Sequence, residues 1–143
     1  MKTNFNLQSA KHLLLSQNLT LVLYNGQGEI ITSSKRGVAP LLELIDYSKD
    51  LSGFHAVDRV VGSASAFLYC ILRVKSVHAL VASEGAVKIL SEHNILLDYQ
   101  TLTNYIINRE GDGKCPMENA VEHCKSEREA LNKIREKLAQ LNS

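Results

Sequence analysis

The middle of the chain alternates between strand-forming and helix-forming segments with almost nothing between them. Residues 55–61 form a β-rich run that ends at Gly62, and residues 63–73 are small and apolar with helical character. The same order follows at once, with a strand-like run at residues 77–82 and a helical pattern at residues 83–93. Connections this short favour an α/β fold in which helices cover both faces of a sheet.

Turn residues divide the segment before this alternation into two strands. Residues 19–24 form a β-rich apolar run, and residues 29–32 resume the pattern after Asn25-Gly26-Gln27-Gly28, whose residue types tolerate positive φ. We therefore predict a β-hairpin there. Helices are also predicted at residues 5–17, at residues 38–47 and from Cys115, and a short strand is predicted at residues 96–99, with residues 103–108 extending or pairing with the sheet.

The chain has 143 residues, and its 16 Lys plus Arg nearly balance its 15 Asp plus Glu. We predict a single domain over residues 1–143, because a domain of this size buries about 68–70% of its unfolded surface without help from disulfides or a structural metal. Nucleic-acid-binding domains usually carry a basic excess clustered on one face, which this sequence lacks. We therefore expect no nucleic-acid partner.

Apolar runs in the sequence are short. The N-terminal run Leu13-Leu14-Leu15 is far shorter than the apolar core of a signal peptide, about 7–15 residues. Stretches such as residues 77–82 have the length of a strand, whereas a membrane span needs about 20 apolar residues. We expect a cytoplasmic protein with no membrane partner, and three Cys that are free thiols.

The charged tail at residues 125–141 carries an apolar stripe formed by Leu131, Ile134, Leu138 and Leu141. The stripe predicts an amphipathic C-terminal helix. It spans two heptads at most, which is typical of a helix face docked on its own domain. The alternative is the seam of a homo-oligomer, although coiled coils generally require three or four heptads.

Ligands of open α/β sheets bind beyond the carboxyl ends of the strands, where the first N–H groups of a helix attract negative charge. Three helix starts qualify here, at Gly62-Ser63-Ala64, at Ser83-Glu84 and at Cys115. Gly62 and Ser63 leave room for a ligand, and close helix packing explains them equally well. Capping and the helix dipole account for Ser83 and Glu84, and a ligand contact is the alternative. Free N–H groups at these starts predict an anionic ligand, such as a phosphate or carboxylate.

Two charged residues, Asp58 and Arg59, interrupt the apolar strand at residues 55–61. Successive strand residues point to opposite faces, so each face of this strand receives one charge. A central strand of a covered sheet rarely carries charges. Either the pair lies near an end or edge of the sheet, or it lines a site.

Cys115 is the residue of greatest chemical interest. Cys115-Pro116-Met117-Glu118 has the layout of a capping box, in which Glu118 reaches back to the N–H of the cap. Cys is a poor cap, so capping alone does not explain the thiol, while the positive end of a helix favours the thiolate form. Asp112 and Glu118 oppose that effect and Lys114 assists it. Cys115 is a candidate nucleophile or redox thiol, and the alternative is a buried filler, the role expected of Cys70.

Three blocks in order carry a family resemblance: DRVVGSA at residues 58–64, VHALVASE at residues 77–84, and YIINR with GDGKCPME within residues 105–118. Together they resemble a small prokaryotic family of uncharacterised domains that is assigned to the cytidine deaminase-like fold. The resemblance implies a three-layer α/β/α sandwich built on a mixed sheet of about five strands. It implies no activity, because the family's own function is unknown.

Zinc deaminases of that fold place H-x-E or C-x-E at one helix start and P-C-x-x-C at the next. The corresponding starts here are Gly62-Ser63-Ala64-Ser65 and Ala82-Ser83-Glu84-Gly85, which lack every metal ligand. Hydrolytic deamination by the usual route then has no zinc-bound hydroxide as nucleophile. The sequence also lacks CxxC, GxGxxG and P-loop motifs, so we expect no metal and no cofactor.

The sequence thus predicts a small-molecule-binding domain whose pocket is formed by the helix starts at Gly62, Ser83 and Cys115. An alternative is a non-enzymatic sensor or interaction module that retains the scaffold and works through an oligomer. The candidate ligand-binding residues are Asp58, Gly62, Ser63, Ser83, Glu84, Asp112 and Glu118, with Cys115 as the candidate catalytic thiol.

Overall fold

A computed structural model describes residues 4–107, 111 and 113–142 of the chain. The strands are β1 (Leu21–Tyr24), β2 (Ile30–Ser33), β3 (His55–Val61), β4 (Ser76–Ser83) and β5 (Leu96–Thr103). The helices are α1 (Leu7–Ser16), α2 (Ala39–Asp46), α3 (Ser63–Leu72), α4 (Glu84–Glu92), α5 (Pro116–Val121) and α6 (Glu127–Leu141).

The five strands form one mixed sheet in the order β2-β1-β3-β4-β5. β1 pairs antiparallel with both β2 and β3, whereas β3, β4 and β5 run parallel. β3 is therefore the central strand. The predicted α/β fold on a mixed five-stranded sheet is confirmed, and so is the alternation of strand and helix between His55 and Glu92.

Local side-chain chemistry explains why β1 and β2 form the predicted hairpin. The Asn25 side-chain oxygen accepts hydrogen bonds from the N–H groups of Gln27 and Glu29, at 2.9 and 3.2 Å. Gly26 and Gly28 have positive φ values of 72° and 97°, which glycine adopts without strain. The connection therefore reverses the chain within a few residues and sets the pairing register.

The helices divide unequally between the two faces of the sheet. α1 covers one face, where Ala10 and Leu14 are buried against Val22 and Val57. The other five helices contribute to the main core on the opposite face, which includes Leu41, Phe67, Leu90, Val121 and Ile134. The result is three layers, with most of the buried apolar surface on the side of α3.

The C-terminal stripe packs against its own domain. Ala130 and Ile134 are fully buried, and Leu131 and Leu138 are partly buried against the main core. α6 lies against α3 and α5. Ile134, Leu131 and Leu138 of the stripe thus pack within the chain, whereas Leu141 is 54% exposed, and the alternative role of the stripe as the seam of a homo-oligomer stays a prediction.

β5 differs most from its prediction, because it continues to Thr103 where a short strand over residues 96–99 was expected. Most of its side chains are exposed, so hydrophobic periodicity gives little sign of its full length. Beyond it, Ile107 forms an isolated antiparallel bridge with Lys114. Across the described residues, no helix combines the length and the hydropathy that a membrane span requires.

Candidate functional site

The starts of α3, α4 and α5 lie together beyond the carboxyl ends of β3 and β4. A β-carbon added to Gly85, in the first turn of α4, would collide with the Ser63 hydroxyl at the start of α3. α5 joins them because the Cys115 N–H donates to the Ile106 carbonyl at 2.9 Å, next to the Ile107–Lys114 bridge. The chain therefore returns from β5 and places α5 beside the first turn of α3.

The main contact between these helices is made by Glu118. Its carboxylate accepts hydrogen bonds from the backbone N–H groups of Ser63 and Ala64, at 2.7 and 2.9 Å. Gly62 has no side chain to cap α3, so a carboxylate 54 to 55 residues away in sequence performs that role. Two charge-assisted bonds at a helix N-terminus are a strong local stabilisation.

This contact corrects two predictions. Glu118 does not close a capping box on Cys115, because the Cys115 N–H donates to Ile106 and the carboxylate of Glu118 binds α3 instead. The N–H groups of Ser63 and Ala64 are also not free for an anionic ligand. The anion at this helix start is supplied by the protein itself.

Glu118 is 9% exposed, and its surroundings have opposing effects on the pKa of its carboxyl group. Burial raises its pKa, while the N–H groups of Ala64 and Ser63 and the ammonium of Lys114 lower it, and the net direction is upward. Gly62 makes room for this carboxylate. A β-carbon at Gly62 would overlap the Glu118 carboxyl group and lie 2.7 Å from the Ile106 side chain.

Glu118 also stands between two cavities and lines both. The Asp58 cavity, of about 250 Å³, is lined by Thr20, Leu21, Arg36, Gly37, Val38, Pro40, Asp58, Arg59, Val60, Gly62, Ala64, Ser65, Ile106, Cys115, Met117 and Glu118. The Ser83 cavity, of about 400 Å³, is lined by Ser63, Phe67, Ser83, Gly85, Lys88, Ile89, Glu92, His93, Asn104, Tyr105, Lys114, Glu118, Val121, Glu122, Cys124 and Lys125.

The three helix starts, which the sequence predicts to form one pocket, are divided between these two cavities. Gly62 and Cys115 line the Asp58 cavity, whereas Ser63 and Ser83 line the Ser83 cavity. The physical reason is the carboxylate of Glu118, which closes the gap between α3 and α5. Sequence position alone does not indicate that a side chain from α5 fills this space.

Asp58 is on the central strand and lines the cavity that bears its name. The Tyr69 hydroxyl donates to its carboxylate at 2.7 Å, and the Val60 N–H donates more weakly at 3.4 Å. Burial raises the pKa of Asp58 to about 6, although these hydrogen bonds lower it. Of the two sequence alternatives, placement in an edge strand is wrong, and the residue lies in the lining of a cavity.

Arg59 does not pair with Asp58. Its guanidinium donates to the backbone carbonyls of Leu19 at 2.5 Å and Leu14 at 3.3 Å, which ties the end of α1 to β3. Among the described residues, no cationic side chain forms an ion pair with Asp58. The carboxyl group is thus half-buried, with hydrogen-bond partners and without an ion-pair partner among these residues.

The three thiols have different surroundings, and all are free. Cys115 is half-buried at the N-cap of α5, and its sulfur makes no capping hydrogen bond, so the thiol is not used to begin the helix. Cys70 is buried as predicted, and burial raises its pKa to about 12. Burial also raises the pKa of Cys124. Only Cys115 lines the Asp58 cavity.

The remaining candidate residues are Ser83, Glu84 and Asp112. The Ser83 side chain caps α4 by accepting from the Ala86 N–H at 3.1 Å, as the sequence predicts. Glu84 occupies the first turn of α4 but is exposed and lines neither cavity. Asp112 lies outside the described residues.

Two residues of the site, Arg36 and Tyr69, are not predicted from the sequence. Tyr69 is fully buried in α3 and supplies the hydroxyl that binds Asp58; its position 11 residues after Asp58, within an apolar helical segment, was the available signal. Arg36 lines the Asp58 cavity from the loop before α2, and no periodic pattern marks it. Within the described parts of the chain, no group of three or more metal-ligating side chains is close enough to hold a metal ion.

Replacing Gly62 with Ala tests the fit of Glu118. The backbone at Gly62 has an ordinary φ of −100°, so Ala is penalised only by its collision with Glu118 and Ile106. We expect Gly62→Ala to lower the free energy of unfolding by at least about 2 kcal/mol in urea denaturation, through overpacking and loss of the cap. The matched control is Gly53→Ala, where nothing lies within 4 Å, and a similar loss in both variants would contradict this account.

The contribution of Asp58 to the stability of the protein is predicted to fall as pH rises between about 4 and 6. Native Asp58 has a raised pKa, so the folded state binds more protons than the unfolded chain in that window, and its deprotonation favours unfolding. Asp58→Asn removes this contribution and should be about 1–3 kcal/mol more stable than wild type at pH 7.5. Its free energy of unfolding should also change less with pH. Urea titrations at pH 4.5 and 7.5 measure both. The control is Asp46→Asn, at an exposed carboxylate, which should keep the wild-type change of the free energy of unfolding with pH. If Asp58→Asn shows that same change, the raised pKa is wrongly assigned to Asp58.

A known protein family matches both the sequence and the fold of this chain. The model described as TM1506, domain of unknown function (DUF1893), matches residues 9–138. A crystal structure of a DUF1893 family protein (TM1506) from Thermotoga maritima is similar, with a TM-score of 0.83 and 26% sequence identity over 98% of this chain and 92% of that chain. No curated protein matches the sequence. The resemblance to a family of unknown function is thus confirmed at that level, and the chain belongs to the DUF1893 family.

Proposed function

We propose that the protein binds a small molecule in the Asp58 cavity. The observation that carries this proposal is the half-buried carboxyl group of Asp58, which lies on the central strand, lines the cavity and has no cationic partner among the described residues. A carboxylate without a cationic partner in such a place destabilises the fold at neutral pH. Groups of this kind, in a cavity and with a perturbed pKa, are typical of functional sites.

The composition of the two linings favours the Asp58 cavity as the primary site. In the Ser83 cavity Lys114 forms an ion pair with Glu122 at 3.1 Å, and His93 binds Glu127 at 3.0 Å. The Lys114–Glu122 pair spans α5, and the His93–Glu127 pair joins the end of α4 to α6, so both pairs have a structural explanation. The Asp58 cavity has mainly apolar walls with a few polar groups, which is the usual composition of a small-molecule pocket.

The lining of the Asp58 cavity predicts the chemistry of its ligand. Leu21, Val38 and Ile106 would contact an apolar body, and the carboxylate of Asp58 would accept a hydrogen bond from a hydroxyl or amine. Arg36 forms no ion pair with the described residues, so its guanidinium is available to a carboxylate or phosphate. The anionic group is therefore assigned to Arg36 and not to the first turn of α3, where Glu118 already binds.

Cys115 is the candidate for chemistry in this cavity. Its thiol lines the wall beside Glu118, is half-buried and takes no part in capping α5. As a nucleophile or redox thiol it would react with a ligand held between Arg36 and Asp58. The scaffold itself we assign to the cytidine deaminase-like fold, an assignment supported by its mixed five-stranded sheet between helical layers.

Three aromatic probes test the assigned contacts. 4-Hydroxybenzoate carries both a carboxylate and a hydroxyl, benzoate only the carboxylate, and phenol only the hydroxyl. In amide NMR titrations at pH 7.5 we expect Arg36→Gln to weaken the two carboxylates about tenfold and leave phenol unchanged. Asp58→Asn should instead weaken the two hydroxyl compounds relative to benzoate.

The matched control for these titrations is Glu84→Gln, because Glu84 is exposed and lines neither cavity. It should bind all three probes as wild type does. If none of the probes shifts the resonances of residues around the Asp58 cavity, or if the shifts fall at the Ser83 cavity, the proposed binding site is wrong.

Alkylation rates test the role of Cys115 separately. With iodoacetamide at pH 7.5, followed by peptide mass spectrometry, we expect Cys115 to react at least about tenfold faster than Cys70, whose thiol is buried with a pKa of about 12. 4-Hydroxybenzoate should slow the reaction of Cys115 and leave Cys124, outside the Asp58 cavity, unchanged. A rate at Cys115 no greater than that at Cys70 would remove the thiol from the proposal.

A further inference from the structure

The two edges of the sheet differ in how they are protected against pairing with another chain. The β2 edge is only four residues long, and charged side chains flank it. Lys35 forms an ion pair with Glu43 of α2, and Lys49 pairs with Glu29 at 2.5 Å. Short length and flanking charges are the usual means by which proteins block edge-to-edge association.

The β5 edge has none of these protections. It is eight residues long, and among the described strands only β4 pairs with it. Its sequence, LLDYQTLT, contains a single charged residue and no proline or glycine. Large apolar side chains are exposed along it, with Leu96 at 73%, Leu102 at 43% and Tyr99 at 38%. An edge with this composition is a ready template for strand addition.

The sequence of β5 is complementary to itself when two copies pair antiparallel about a two-fold axis at Tyr99. In that register Leu96 lies opposite Leu102 of the second copy, so two exposed leucines cover each other. Asp98 lies opposite Gln100 of the second copy, whose amide can donate to the carboxylate. The two Tyr99 rings meet at the axis, where aromatic pairs stabilise a sheet.

The same register avoids repulsion between the charges of the two strands. Asp98 and its copy are diagonal neighbours, about 7–8 Å apart, and are not directly opposite each other. Asp98 also binds the His78 ring nitrogen at 2.7 Å within its own chain, which fixes one carboxylate oxygen and leaves the other for the second copy. A single register therefore covers the exposed leucines and keeps the two Asp98 carboxylates from lying directly opposite each other.

We propose that the protein forms a homodimer by antiparallel pairing of β5 with β5 of a second copy, which joins the two sheets into one of ten strands. The interface is isologous, because the same strand is used on both sides. It lies at the edge of the sheet away from β2 and does not include the Asp58 cavity. The proposal is therefore independent of the proposed ligand.

Sedimentation equilibrium of the full chain tests the dimer. At concentrations of tens of micromolar we expect wild type to have twice the 15.9 kDa mass of one chain. Tyr99→Lys places two like charges directly opposite each other and should raise the dimer dissociation constant at least about tenfold. Ile30→Lys is the matched control on the β2 edge, at a residue 43% exposed, and should leave the dimer intact. Circular dichroism verifies that both variants are folded.

A charge-swap experiment separates strand pairing from other dimers. Tyr99→Glu alone should also dissociate, whereas a mixture of Tyr99→Lys and Tyr99→Glu chains should form a heterodimer, because lysine then faces glutamate across the axis. A monomeric wild type would overturn the proposal. So would a dimer that Tyr99→Lys leaves unaffected, or a mixture of the two variants that stays monomeric.

Discussion

The carboxylate of Glu118 at the start of α3 is the contact on which the functional end of this fold depends. Its two hydrogen bonds, of 2.7 and 2.9 Å, join the short helix α5 to the centre of the domain across more than 50 residues of sequence. α5 has only six residues and could not be stable alone. Its position, and with it the position of Cys115, follows from this contact together with the packing of Met117 and Val121 in the core.

The same carboxylate determines where a ligand can bind. By taking the first N–H groups of α3, Glu118 removes the anion site that the strand-to-helix junction would otherwise offer. By standing between α3 and α5 it also separates the Asp58 cavity from the Ser83 cavity. The proposed function is built on three groups that line the Asp58 cavity, namely the carboxyl of Asp58, the guanidinium of Arg36 and the thiol of Cys115.

Most of the fold could be predicted from the sequence, because the relevant signals are local. The Asn25-Gly26 turn, the Ser83 cap and the alternation of strands and helices each depend on residues close together in the chain. β5 was predicted too short because exposed side chains leave no hydrophobic periodicity. The apolar stripe on α6 predicts a face that packs against its own domain, because the spacing of its apolar residues places them on one side of a helix.

The site was harder to predict because its contacts join residues distant in sequence. The sequence predicts that Glu118 caps its own helix, and only the approach of α5 to α3 shows that it caps α3 instead. Asp58 was identified as unusual, yet its partner Tyr69 looked like one more apolar residue of α3. Arg36 lies in a loop without any periodic pattern, so sequence analysis could not connect it with the cavity.

The proposed function rests on Asp58 being a half-buried carboxyl group that is retained for binding and not for stability. Its most direct test is a titration of the Asp58 side-chain carboxyl carbon by ¹³C NMR, with Asp58→Asn used to assign the resonance. We expect a midpoint of about 6, well above the ordinary value for aspartate. A midpoint near the ordinary value of about 4 would contradict it, because the carboxylate would then be solvated or paired and would need no functional explanation.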